Sequence, residues 1–124
     1  MGHQSLCRLL IGGLLLLLMT LSEAAQEKVF LIELLNGKVM SAKTMQVKRF
    51  DTVRWKVKSN EAGELHLHAY HVEIPVSPGK VSEYSFKAEA SGKFQLEWHP
   101  KVPSSTTPPV GHHEPLAFLE VYPQ

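Results

Sequence analysis

Cysteine is almost missing from this chain: of 124 residues only Cys7 is one, and it falls in a stretch that reads as a removable leader. Residues 1–8 carry a single charged side chain, Arg8, residues 9–19 are nearly all apolar, and Ser22-Glu23-Ala24-Ala25 offers small residues for cleavage. That is the anatomy of a secretory signal peptide over residues 1–24, with a helical apolar segment. The apolar run is shorter than the roughly 20 residues a spanning helix needs, so no membrane attachment is expected after cleavage. Cys7 precedes the apolar run, which excludes it as the acylated residue of a lipoprotein. The remaining residues 25–124 have no thiol, and so no disulfide, no iron–sulfur cluster, no cysteine nucleophile and no thiolate metal ligand. An exported domain of this kind, periplasmic or secreted, must be held by its core, which 100 residues suffice to build in one domain and not in two.

Excess charge is missing too. The chain has 13 Lys plus Arg against 12 Asp plus Glu; loss of Arg8 and Glu23 with the leader removes one of each sign and leaves the net charge at +1. Nucleic acid is not an expected partner, because its binders carry a strongly basic patch. Also absent are a Gly-x-Ser-x-Gly elbow, a His-Glu-x-x-His pair and a phosphate loop. With nothing to supply a general base or substrate pocket, the expectation is a binding protein and not an enzyme.

No amphipathic helical period appears. Residues 28–35 form a β-branched and aromatic run closed by Asn36-Gly37, a pair suited to a type I′ turn. Residues 43–59 read as one antiparallel strand, in which Val53, Trp55 and Val57 alternate with Arg54, Lys56 and Lys58 to give one buried and one wet face. Polar turns at residues 59–63 and 76–80 follow. Tyr84, Phe86 and Ala88, then Phe94, Leu96 and Trp98, mark two further half-buried strands separated by Ser91-Gly92. Residues 100–115 hold five of the eight prolines and read as an irregular loop, and residues 116–122 as a closing strand buried over much of both faces. About seven short strands indicate an all-β sandwich or barrel.

Histidine is what the chain has in a cluster. Three of its seven lie in Glu64-Leu65-His66-Leu67-His68-Ala69-Tyr70-His71, and in an extended segment His66 and His68 point to one side while Leu65 and Leu67 point to the other. His99 follows Trp98, and His112 and His113 lie in the proline-rich loop. For a single histidine, surface exposure or a packing hydrogen bond is the ordinary role; together these residues favour a metal.

The order of motifs resembles the cupredoxins, small Greek-key β-sandwich proteins. Val47-Lys48-Arg49-Phe50-Asp51-Thr52-Val53 followed by Asn60 matches a family strand start in which Phe50 replaces a usual Gly. Pro78-Gly79, Phe86-Lys87-Ala88 and Gly92-Lys93-Phe94-Gln95-Leu96 match the later strands. His66-Leu67-His68-Ala69-Tyr70 is similar to the His-Leu-His-Gly-Tyr stretch of the cysteine-free exported branch, as in the cupredoxin-like domain of EfeO-type periplasmic iron-uptake proteins. Where blue-copper members carry their cysteine ligand this chain has about Trp98, and where the axial methionine would lie it has Pro115. The resemblance implies a Greek-key cupredoxin-like β-sandwich whose histidine stretch, Trp98 strand end and last loop meet at one end of the sandwich. It implies a metal site of His66, His68, His99 and His113, with His112 as substitute for His113, and His71 outside it. Blue copper requires a thiolate, so the implied cofactor is a copper ion on imidazoles, Cu(II) before Zn(II), handled or delivered without electron transfer. An exported metal-transport or respiratory protein is the implied partner. The alternative is a metal-free interaction module of the same fold. Oligomeric state is not legible.

Overall fold

The computed structural model describes residues 23–102 and 114–124, and the leader segment 1–22 lies outside the described residues. Nine strands follow in order: β1 (Glu27–Leu35), β2 (Lys38–Val39), β3 (Thr44–Lys48), β4 (Thr52–Ser59), β5 (Gly63–Leu67), β6 (Val72–Val76), β7 (Ser82–Lys87), β8 (Gly92–Pro100) and β9 (Ala117–Tyr122). They form two sheets, ordered β2-β1-β4-β7 and β3-β9-β8-β5-β6. Both are mixed: β1 runs parallel to β4 and β3 parallel to β9, and the other pairs are antiparallel. The all-β Greek-key sandwich expected from the sequence is the fold observed, with more strands than the expected seven or so. Among the described residues no helix is long and apolar enough to cross a membrane.

One core lies between the sheets. Ile32 and Leu34 of β1 and Val53, Trp55 and Val57 of β4 meet Met45, Val47, Leu65, Leu67, Leu96, Trp98, Leu119 and Val121 of the other sheet. Trp55 is fully buried, with Phe86 edge-on at 5.0 Å between ring centroids. The alternation read along residues 53–57 is thus the inner face of β4, each side chain placed there by the period of two.

Two readings change. Residues 43–59 divide into β3 and β4, which belong to different sheets. The break is the turn at Phe50, whose φ of +73° lies in the left-handed region where glycine is at home; the glycine of the family motif has a backbone reason. Asp51, 3% exposed, fixes this turn: its carboxylate accepts the Gln26 N–H at 2.8 Å and the Lys48 N–H at 2.9 Å. The last strand is not buried on both faces. Ala117, Leu119 and Val121 are buried, whereas Phe118 and Glu120 are half-buried outside, with the Lys93 ammonium 4.5 Å from the Phe118 ring centre.

Candidate metal centre

Strands β5 and β8 lie side by side in antiparallel register, with His66 opposite Glu97 and Glu64 opposite His99. Because Leu65, Leu67, Leu96 and Trp98 all face the core, the period of two sends Glu64, His66, Glu97 and His99 to the outer face of the sheet. On the other side of β5, Glu73 of β6 stands opposite His66. The close approach of β5 to β8 depends on Gly63: a Cβ there would meet Trp98 Cζ2 at 2.4 Å and the His99 carbonyl oxygen at 2.6 Å.

His68 reaches the same patch by a different route. β5 stops at Leu67 and a 3-10 turn runs from His68 to Tyr70, closed by the His71 N–H donating to the His68 carbonyl at 3.1 Å. The Tyr70 hydroxyl ties this turn to the β7–β8 connection, donating to the Ala90 carbonyl at 2.7 Å and accepting the Ala90 N–H at 3.1 Å. His71, with φ of +52°, is exposed and outside the cluster.

His66, His68 and His99 each present a ring nitrogen within 4.8 Å of those of the other two. Their ring centres lie 4.4 Å apart for His66–His99 and 5.5 Å for His66–His68. His66 is the most enclosed, its side chain 17% exposed, against 40% for His99 and 64% for His68. Donors on one ion at about 2.1 Å are separated by at most about 4.2 Å, so a set spread over up to 4.8 Å has to draw in to hold an ion. Three imidazoles suit Cu(II) or Zn(II).

Carboxylates surround these rings. Glu97 Oε2 lies 3.1 Å from His68 Nε2 and 3.4 Å from His99 Nε2. The hydrogen bond from His68, opposed by burial, holds the Glu97 carboxyl below its ordinary range. Glu64 Oε1 contacts His66 Nε2, and Glu64, His66 and Glu73 form a second, oxygen-rich set of donors within 4.8 Å of one another.

Of the four nominated ligands, three are brought together, on the outer face of the five-stranded sheet. Leu65, Leu67 and Trp98 take the inward positions of the same strands. His113 and its substitute His112 lie outside the described residues. Glu97 and Glu73 were missed. The available signal for Glu97 was its spacing of two from His99 on an alternating strand; Glu73 is visible only through the pairing of β6 with β5.

No protein-family model matches the chain, and no curated protein matches it. Solved structures do. A heme-copper terminal oxidase dimer chain superposes with a TM-score of 0.61 at 16% identity, over 82% of this chain and 67% of that one. The copper-containing nitrite reductase NirK of Thermus scotoductus gives 0.57 at 21% identity, over 81% and 28%. The multicopper oxidase mgLAC gives 0.52 at 21%, over 82% and 40%. This chain has the cupredoxin fold. At these identities the likeness is one of fold, and the chain spans well under half the length of the nitrite reductase and the multicopper oxidase. This sandwich carries its histidine cluster on the outer face of the five-stranded sheet.

Proposed function

We propose that this chain is an exported cupredoxin-fold protein, related to the cysteine-free EfeO-type domains, that binds copper through His66, His68 and His99. It handles or delivers the ion to an exported metal-transport or respiratory protein. The observation that carries this reading is the convergence of three imidazole nitrogens within 4.8 Å, from two strands and a turn. The similarity to folds found in copper-containing enzymes supports copper over zinc. Residues 25–124 contain no cysteine, so the trigonal thiolate site of a blue-copper electron carrier lacks its sulfur ligand here.

Calorimetric titration with Cu(II) and Zn(II), with spin resonance of the copper form, tests the proposal. One equivalent of Cu(II) is expected, with only weak visible colour. His66→Ala, His68→Ala and His99→Ala should each weaken binding at least about 100-fold, since even outer partners of a metal are worth 10- to 100-fold. Absence of stoichiometric binding would sink the proposal.

A second reading has one observation in its favour. Glu97 already contacts both His68 and His99, so the cluster satisfies itself without an ion, as a metal-free interaction module would require. A wild-type protein that binds no metal at micromolar concentration favours that reading.

A further inference from the structure

Glu97 sits beside the histidine cluster, in contact with two of its three rings. It is opposite His66 in the β5–β8 register, two residues before His99 on the same strand face, and in hydrogen-bond contact with His68. Its side chain is 24% exposed, more enclosed than His68 or His99. The two imidazole nitrogens nearest its carboxylate are the Nε2 atoms of His68 and His99, at 3.1 and 3.4 Å. Bonds of about 2.0–2.1 Å at 90–109° place neighbouring donors of a four-coordinate ion about 2.8–3.4 Å apart. Both distances fall within that range, so the Glu97 carboxylate is near enough to both rings to share an ion with them once the set draws in.

We propose that Glu97 is the fourth, anionic donor of this centre and that it makes the centre selective for divalent over monovalent copper. The proposal rests on the reading that the three imidazoles hold the ion, and goes beyond it in naming the donor that sets the oxidation state. A carboxylate is a hard donor suited to Cu(II), whereas Cu(I) prefers thiolate and thioether sulfur. No described sulfur serves this face: Met45 is buried in the core, and Met40 lies in the loop after β2. Electrostatics act in the same direction, because the attraction between one carboxylate charge and the ion doubles when the ion carries two charges. Glu64, cross-strand from His99, and Glu73 share a second set of donors with His66, whereas Glu97 is the carboxylate in contact with both His68 and His99.

The test compares wild-type protein with Glu97→Gln, which keeps the shape of the side chain and removes its charge. Cu(II) affinity is measured by calorimetry and Cu(I) affinity by competition with a chromogenic chelator under reducing conditions. Glu97→Gln should lose at least about 30-fold in Cu(II) affinity, with Cu(I) affinity changed less than about threefold. The copper potential should rise by about 59 mV for each tenfold of selective loss, and the copper hyperfine splitting should change. Glu83→Gln, which removes the same charge from the other sheet, controls for long-range electrostatics and should move neither affinity more than about twofold. Equal losses for both oxidation states in Glu97→Gln would overturn the selectivity. A larger Cu(II) loss in Glu64→Gln or His113→Ala than in Glu97→Gln would assign the fourth donor elsewhere and overturn the proposal. Unchanged Cu(II) binding in Glu97→Gln, with binding lost in His66→Ala, would overturn it while leaving the three-imidazole centre intact. No Cu(II) binding by the wild type would sink both.

Discussion

The two faces of the β5–β8 pair share one backbone and divide its work. Inward, Leu65, Leu67 and Leu96 are fully buried and Trp98 nearly so; outward, Glu64, His66, Glu97 and His99 are half-buried and polar. The inner residues remove apolar surface from water and gain little from their exact chemistry beyond volume and shape. The outer ones are costly to desolvate and gain only when each nitrogen and oxygen has a partner, which the register supplies. A period of two lets adjacent residues take opposite roles, so substitutions one residue apart should separate stability from binding.

The largest effect is expected inside. Leu65→Ala removes a fully buried side chain from the centre of the five-stranded sheet and should cost about 3 kcal/mol of folding free energy, measured by urea denaturation of metal-free protein. A cost under about 1 kcal/mol would mean that the inner face is loosely packed and that the division between faces is weaker than the burial indicates.

The strands and their inner faces were legible because each alternation is written in consecutive residues: Val53, Trp55 and Val57 declare a buried face whatever they pack against. The separation of β3 from β4 was not, because it turns on Phe50 adopting a positive φ that its side chain does not advertise. The 3-10 turn at His68 was legible only as a kink near Ala69-Tyr70, since His66-Leu67-His68 reads as continuing strand and the tie that holds the turn comes from Ala90, twenty residues after Tyr70. The histidine cluster was partly visible, as type and spacing. Glu97 was legible only as a spacing of two from His99; its place beside His66 and His68 is a cross-strand register, a property of the pairing and not of either segment.

Among the described residues Asp51 is the buried carboxylate, and it offers the next test. Asp51 is buried, which on its own would raise its pKa, but the hydrogen bonds from the Gln26 and Lys48 amides and the nearby Lys28 and Lys48 charges outweigh burial and hold it below the ordinary carboxylate range. A depressed folded-state pKa contributes stability above the unfolded value, lost as pH falls through the folded value. Asp51→Asn should therefore cost about 2 kcal/mol at neutral pH, the scale of charge-assisted hydrogen bonds. It should also flatten the loss of stability as pH falls below about 4. Melts from pH 7 to pH 2 read both; a variant with the same acid slope as wild type would show that this carboxylate is not held by its two amides.

The smallest effect on folding is expected one residue from the largest. His66→Ala, next to Leu65, removes a ring that is 17% exposed and rests on His99, while Leu65, Leu67 and the ladder to β6 and β8 keep their places. In metal-free protein its cost should be about 0.5 kcal/mol or less, the range of surface substitutions. Copper changes the comparison, because a ligand at 100 times its dissociation constant stabilises the folded state by about 2.7 kcal/mol if the unfolded chain does not bind it. Wild-type protein should gain that increment in denaturation with excess Cu(II), and His66→Ala should gain almost none of it. The two variants then differ in kind: Leu65→Ala is weak with and without copper yet retains the copper increment, whereas His66→Ala matches wild type until copper is added. If His66→Ala lost 2 kcal/mol or more without metal, His66 would be acting as a core residue, and the outer face of β5 would be structural after all.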